Sequence, residues 1–193
     1  MAYYVNNDVL KQCIEKYNLH NLADTLDWIP RYIEKKTHEY EKGKITKEEL
    51  DNFTNFCVRR QQERAQITKE YDSMTPEQKI KFDEDFSNIK AELCTYFNKI
   101  TVGIANSMGL HTNYSFSRDE CHEIIIDSVI NLFQYCSRFD TRKGTSAFCY
   151  ITQMAKNAIK GYRDELITNK TMFVTGCDFM DNMESGSNTQ DEF

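Results

Sequence analysis

The sequence contains little that would interrupt a helix. Among its 193 residues there are only 2 prolines and 7 glycines. Proline and glycine end or kink helices and mark the turns between short strands, so their scarcity argues against a sandwich or barrel of many short strands. We therefore expect an all-α protein built from long helices with few connections.

Three further absences narrow the class of protein. No apolar run approaches the roughly 20 residues that a helix needs to cross a bilayer, and the opening MAYYVNND lacks a targeting pattern. The 7 cysteines are scattered, without a CxxC pair, which argues against a disulfide framework or a zinc site. No Cys–His pair, carboxylate cluster or glycine-rich phosphate loop suggests catalysis. We expect a cytoplasmic protein that does not bind membranes, is not an enzyme and needs no metal or cofactor.

Positive charge is also scarce overall, but it is unevenly distributed. The chain has 24 basic and 30 acidic side chains, a net charge of -6. Phosphate contacts supply most non-specific affinity for DNA, so the isolated chain should bind duplex DNA weakly. Between residues 138 and 170, however, there are seven basic side chains and only three acidic ones. This local excess of positive charge makes the segment the candidate for contact with DNA.

Several helix boundaries can be predicted from local signals. Capping boxes are indicated by Thr46 with Glu49, Thr75 with Gln78, and Ser117 with Glu120; each pair has the required spacing of three residues. Gly43 and Gly109 are expected to end helices, and Asn7 could cap the first one. A helical hairpin with a polar outer face is predicted over 31–72, most simply as a solvated appendage. A last helix should run from Thr145 or Ser146 to about Leu166.

The last predicted helix has a polar face with the residue types that contact DNA. Gln153 and Asn157 are four residues apart and are therefore neighbours on a helix. Their amides could read base edges, while Lys156 and Lys160 could hold phosphates. A plain solvated face would show the same spacing, so the pattern alone leaves both interpretations open.

Aromatic and basic residues alternate just before this face. Arg142 and Lys143 lie in a turn, and Phe148 and Tyr150 follow at the start of the helix. An unpaired base needs a stacking surface and a cation for its phosphate, so these residues would suit a separated DNA strand. Packing in the core is the alternative for both aromatic rings.

The same stretch resembles a known family. The sequence FDTRKGTSAFCYITQMAKNAI, residues 139–159, is similar without gaps to region 2 of bacterial sigma factors. The preceding EIIIDSVINLFQYCSRFD resembles the polymerase-binding helix of that region. The tetrapeptides at 150–153 (YITQ) and 4–7 (YVNN) resemble the late sigma factors of T-even-type bacteriophages.

The resemblance implies a fold and a division of the chain. The fold would be an all-α, sigma region 2-like helical bundle with an inserted helical hairpin and a flexible acidic C-terminal tail. Residues 1–30 would form an N-terminal helix packing on the core and 31–80 the inserted hairpin. The region 2-like core would span 81–168, and the acidic tail 169–193.

The resemblance also implies two partners. The helix after Ser117 would dock on the clamp helices of the β′ subunit of the host RNA polymerase core through Glu123, Ile126, Asp127, Ile130, Asn131 and Gln134. The basic turn and the last helix would open an AT-rich promoter element and hold its non-template strand. Thr145, at a position that is aromatic in the family, would join Arg142, Lys143, Phe148, Tyr150, Gln153, Lys156, Asn157 and Lys160 in this DNA-binding set.

One departure from the family, together with a feature of its phage members, implies that further proteins take part. Two adjacent tryptophans that wedge open the duplex in housekeeping sigma factors are replaced here by Gln153 and Met154, so melting should need help. The phage factors depend on a co-activator and on a sliding clamp, which binds a short hydrophobic-acidic motif. Asp178, Phe179 and Met180 loosely resemble that motif, although an acidic tail with incidental aromatic residues is the simpler interpretation.

Two other functions remain open from the sequence. A polymerase-binding regulator that lost promoter reading would account for the missing tryptophans and the net acidity. The retained Arg142, Lys143, Lys156 and Lys160 argue against it. A nuclease or other enzyme is the third possibility, and no catalytic constellation supports it.

Overall fold

The structure, a computed structural model, describes the backbone of residues 5–24, 26–112, 116–142 and 144–184, and side chains as far as residue 170. Within those ranges the chain forms six α-helices and one 3₁₀ turn and contains no strand, which confirms the all-α class. The helices are α1 (Asn7–His20), α2 (Trp28–Glu41), α3 (Lys47–Ser73), α4 (Pro76–Ser107), α5 (Arg118–Cys136) and α6 (Ala147–Glu184), and the 3₁₀ turn is Leu110–Thr112.

The predicted helix starts of α3, α4 and α5 are confirmed. In each capping box the carboxylate or amide oxygen at the third helical position accepts from the cap residue's N–H, at 2.8 to 2.9 Å. The returning bond, from the backbone N–H of that residue to the cap hydroxyl, measures 3.2 to 3.3 Å. Gly43 and Gly109 follow helix ends at φ of +66° and +68°, a conformation that glycine adopts without steric cost.

Two predicted boundaries differ from the structure. The cap of α1 is Asn6, whose Oδ1 accepts from the backbone N–H of Asp8 at 2.9 Å; Asn7 is the first helical residue. The last helix does not end near Leu166 but continues to Glu184. The segment 167–184 contains no proline and one glycine, so nothing in it forces a helix to stop. Residues 185–193 lie outside the described part of the chain.

The chain divides into two compact units, and the first combines residues 1–97 with 135–150. In it α1 packs on α4: the ring of Tyr17 stacks on that of Phe86 at 5.6 Å, and the ring of His20 on that of Phe82 at 4.6 Å. The buried Asn18 donates from its side chain to the carbonyl of Cys136, at 3.2 Å. This bond satisfies one of the carbonyls that every helix leaves unpaired at its C-terminus.

The predicted hairpin exists as α2 and α3, and it is more than a solvated appendage. Its two helices enclose an apolar core of Leu26, Ile29, Phe53, Phe56 and Cys57, against which Trp28, Tyr32 and Ile33 pack. Burying a phenylalanine or isoleucine side chain is worth about 1.5–3 kcal/mol, so this core stabilises the hairpin. Its outer face is polar, as expected.

The second unit combines residues 98–134 with 151–193. Three helices supply most of its buried residues, and Leu110 and Phe116 from the connection before α5 add to them. The helical ones are Ile100, Thr101, Ile104 and Ala105 from α4, Cys121, Ile124, Ile125, Ser128, Val129 and Leu132 from α5, and Ile151, Ala155, Ala158 and Ile159 from α6. The buried positions of α6 recur at intervals of three and four residues, which is the spacing of one helical face.

Candidate functional site

The solvent face of α5 carries two isoleucines that the fold leaves uncovered. Ile126 is 52% exposed and Ile130 is 51% exposed. By contrast Ile124 and Ile125, on the inner side of the same helix, are almost completely buried. Because the two side chains are one turn apart, their exposed halves form one small apolar patch, which a partner could bury.

Carboxylates flank these isoleucines on the same face. Glu123 is exposed and Asp127 is half-buried, and they are one turn apart. We call Glu123, Ile126, Asp127 and Ile130 the docking strip. An apolar centre with acidic neighbours suits a partner helix that is apolar at its contact line and basic beside it.

The other two residues predicted for this surface lie towards the C-terminal end of α5. Asn131 is half-buried and Gln134 is exposed. At about 100° per residue, positions 123, 126, 127, 130, 131 and 134 all fall on one side of α5. The structure thus brings the predicted residues together on one side of the helix, and their use in binding stays a prediction.

The start of α5 is fixed by an ion pair in addition to its capping box. Lys170 Nζ lies 2.9 Å from Glu120 Oε1 and 5.4 Å from the centre of the Phe116 ring. The hydrogen bond from Lys170, together with those from Ser117, lowers the pKa of the Glu120 carboxyl. A carboxylate in the first turn also interacts favourably with the helix dipole. These contacts define where the helix that carries the docking strip begins.

The basic turn between α5 and α6 is held by α3 of the hairpin. Arg59 donates to Asp140 Oδ1 at 2.8 Å, and the same oxygen accepts from the backbone N–H of Arg142 at 3.1 Å. The guanidinium of Arg142 donates to Glu63 Oε1 at 2.9 Å. Arg142 is exposed, yet its charge is already paired within the chain. Lys143 lies outside the described residues.

A stacked arginine anchors the beginning of this turn. The guanidinium carbon of Arg138 lies 4.2 Å from the ring centre of Tyr135, 5.6 Å from that of Trp28 and 5.9 Å from that of Tyr32. Such cation–π contacts contribute roughly 0.5–2 kcal/mol each. Arg138 therefore ties the turn to α2, as Arg59 ties it to α3.

The N-terminus of α6 is capped by two residues from different parts of the chain. Ser146 Oγ accepts from the backbone N–H of Cys149 at 3.3 Å. Asn7 Oδ1 accepts from the hydroxyl of Ser146 at 2.8 Å and from the backbone N–H of Phe148 at 3.1 Å. Ser146 is thus the cap that the sequence offered as one of two alternatives, and Thr145 lies exposed before it.

The two predicted stacking residues point in different directions. Phe148 is 39% exposed and keeps a ring available to solvent. Tyr150 is half-buried; its hydroxyl donates to the carbonyl of Tyr135 at 3.1 Å, and its ring lies 5.0 Å from that of Phe139. Burial raises the pKa of the Tyr150 phenol. We therefore give Tyr150 a packing role and leave Phe148 as the candidate base platform.

The predicted polar face of α6 is exposed along its length. Gln153, Lys156, Asn157 and Lys160 all reach solvent, whereas Ile151, Ala155 and Ile159 are buried. Gln153 Nε2 donates to Asn157 Oδ1 at 3.0 Å. This bond leaves the amide nitrogen of Asn157 and the amide oxygen of Gln153 free to face a ligand, and a paired donor and acceptor match the edge of a base.

The predicted clamp-binding residues belong to the C-terminal part of α6. The backbone at Asp178, Phe179 and Met180 is helical within α6, and their side chains lie outside the described part. Among the residues that the structure does describe, no group of three His, Cys, Asp or Glu could hold a metal ion. Nor does any helix in those ranges combine the length and apolarity needed to cross a bilayer.

Sequence reasoning did not identify the contribution of α3 to this site. Arg59 and Glu63 contact residues 81 and 79 positions away, and no local pattern predicts such a pairing. The only signal was the dense charge of the segment Arg59–Arg64 in the middle of a helix.

Comparison of the chain with protein-family models, with curated proteins and with solved structures gave no match.

Proposed function

We propose that this chain is a sigma factor of the phage late-transcription type, which binds the host RNA polymerase core in the bacterial cytoplasm and directs promoter opening at an AT-rich element. The observation that carries the proposal is the docking strip: Ile126 and Ile130 are half-exposed beside the carboxylates of Glu123 and Asp127. The sequence resemblance of α5 to the polymerase-binding helix of sigma region 2 supports this use of the strip.

The proposed polymerase contact is a helix packed on the β′ clamp helices. Burying the exposed parts of the two isoleucines would provide affinity, and the carboxylates would orient α5 against basic side chains of the partner. Asn131 and Gln134 would add hydrogen bonds at the polar edge of the contact.

The proposed DNA contact uses the basic turn and α6. Arg142, Lys156 and Lys160 would hold phosphates, and Gln153 with Asn157 would read base edges. Phe148 would stack on a base of the non-template strand. Few cations are involved and the net charge is -6, so a sliding clamp and a co-activator would have to assist opening.

A polymerase-binding regulator without promoter reading is the second candidate. It is favoured by one observation: the guanidinium of Arg142 is paired with Glu63, so a predicted phosphate contact is occupied. Such a protein would use the docking strip in the same way but would direct no promoter-specific transcript.

A charge reversal tests the shared part of both candidates. Changing Glu123 and Asp127 together to lysine should abolish co-purification with core polymerase, because the strip would then repel a basic partner helix. The matched control is Glu84→Lys with Asp85→Lys, two exposed carboxylates of α4. Retention of polymerase by the first double variant, or its loss in the control as well, would reject the docking strip.

Transcription separates the two candidates. Core polymerase with the native chain should initiate from an AT-rich late promoter, and the clamp and co-activator should increase the yield. Clean polymerase binding without any promoter-specific transcript, in the presence of both accessory proteins, would favour the regulator.

A further inference from the structure

A single carboxylate on α3 lies among three arginines. Glu63 Oε1 is 2.9 Å from Arg142 Nη2 and 3.8 Å from Arg59 Nε, while Glu63 Oε2 is 3.8 Å from Arg60 Nη1. Only the first distance is that of a hydrogen bond. We call Arg59, Arg60 and Arg142 the arginine cluster; all three share Glu63, two of these contacts are long, and Arg59 pairs with Asp140 as well.

Arg60 makes this carboxylate difficult to remove. Its side chain is only 9% exposed, and its Nε and Nη2 have no hydrogen-bond partner within the described residues. Burial lowers the pKa of Arg60, and the charges of Glu63 and Asp24 oppose that effect. A buried guanidinium that loses a counter-ion is costly, so withdrawal of Glu63 favours the entry of another anion.

The surroundings leave room for such an exchange. A cleft of about 140 Å³ lies beside the cluster; a water molecule takes about 30 Å³ in the liquid. Besides the cluster and Glu63, the charged groups lining it are Glu15 and Asp140. Asp140 already accepts from Arg59 and from the backbone of Arg142, and Glu15 is exposed.

We propose that the arginine cluster is a binding site for a phosphate group, and that Glu63 occupies it in the DNA-free chain. Guanidinium groups bind phosphate through two parallel hydrogen bonds, which one carboxylate shared among three of them cannot provide. The ligand is a phosphodiester of the promoter strand; this assignment to DNA rests on the proposed function. Glu63 is then an internal competitor that keeps Arg142 from DNA until a strand is presented.

The test begins with Glu63→Gln, which removes the charge and keeps the shape. Thermal unfolding is followed in sodium phosphate and in sodium chloride of equal ionic strength. Phosphate stabilises most proteins by exclusion from their surface, so native chain and Glu84→Gln serve as controls. We expect the melting temperature of Glu63→Gln to rise with phosphate by more than either control. Adding Arg142→Gln to this variant should remove the extra rise. An equal rise in all four proteins would overturn the site.

Fluorescence anisotropy with an AT-rich single-stranded oligonucleotide tests the DNA assignment. Glu63→Gln should bind it about two- to fivefold more tightly, the range expected for release of one exposed ion pair. Its salt dependence should steepen by roughly 0.7 in log–log slope for one added phosphate contact. Glu84→Gln removes the same charge and should reproduce neither change. Extra stabilisation by inorganic phosphate without tighter DNA binding would overturn DNA as the ligand.

A second variant keeps the proposal testable if Glu63→Gln does not fold. Arg142→Gln in the native chain leaves the pair between Arg60 and Glu63 intact, so the fold should persist. It should weaken oligonucleotide binding about two- to fivefold, and unchanged binding would overturn the proposal. Promoter-specific transcription by the native chain is measured alongside: its absence would reject the proposed function, whereas the phosphate effect on Glu63→Gln is judged without it.

Discussion

The docking strip makes a quantitative prediction for Ile126→Ala combined with Ile130→Ala. Fully burying an isoleucine is worth about 1.5–3 kcal/mol, and each of these side chains has about half its surface left to bury. Truncation should therefore remove about 1 kcal/mol of binding free energy at each position. Together this is about 2 kcal/mol, or about 30-fold in Kd at 1.4 kcal/mol per factor of ten.

Stability should respond differently from binding. Exposed substitutions usually change the free energy of unfolding by no more than about 0.5 kcal/mol, and alanine is a better helix former than isoleucine. The melting temperature of the double variant should therefore change no more than that of a variant truncated at two equally exposed aliphatic residues elsewhere on the surface. A loss of polymerase affinity without a larger fall in melting temperature than that control would assign the isoleucines to a contact outside the chain.

The assay is a titration of labelled chain with core polymerase, paired with thermal unfolding by circular dichroism. The matched control is Ile80→Ala combined with Val58→Ala, because these aliphatic side chains are also exposed, on α4 and α3. The reasoning is refuted if Kd for the strip variant stays within threefold of the native value. It is refuted equally if the control pair loses as much affinity.

Further predictions concern the promoter side. Lys156→Ala should weaken binding of the polymerase complex to all oligonucleotides alike and reduce the salt slope, whereas Asn157→Ala should relax base preference by about 1–3 kcal/mol; identical effects in a competition assay would contradict this division. Phe148→Ala should cost about 1–3 kcal/mol in binding an opened strand, and unchanged binding would contradict a stacking role. Tyr150→Phe should leave that binding unchanged; losing a bond of about 1 kcal/mol should lower the melting temperature by about 2–4 °C, and a normal melting temperature would show that the hydroxyl bond is unimportant.

Helix starts were predictable because their causes are local. A capping box needs two side chains three residues apart, and Thr46, Thr75 and Ser117 each have the required partner. The buried face of α6 also follows from spacing, since Ile151, Ala155 and Ile159 recur at intervals of four. For the same reason its exposed polar face could be predicted.

The roles of several side chains could not be predicted from the sequence, because they depend on contacts between distant segments. Phe148 and Tyr150 are two residues apart and look equivalent, yet only Tyr150 finds a carbonyl, that of Tyr135, and a ring, that of Phe139. Asn7 looked like a cap for its own helix and instead caps α6. The helix end predicted near Leu166 was wrong for another reason. The residues that follow have moderate helix propensity, which permits a helix without requiring one.

The charges of the chain favour a definite order of binding. A net charge of -6 opposes approach to DNA, and the one exposed arginine of the basic turn within the described residues is paired with Glu63. Docking through α5 would hold α6 near the DNA that polymerase already carries, which raises the effective concentration of DNA to the range where weak contacts suffice. On the proposed function, weak DNA binding by the free chain is therefore expected, and it would protect the chain from capture by non-promoter DNA. It follows that strengthening the DNA contacts alone, as in Glu63→Gln, should increase non-specific binding more than promoter output.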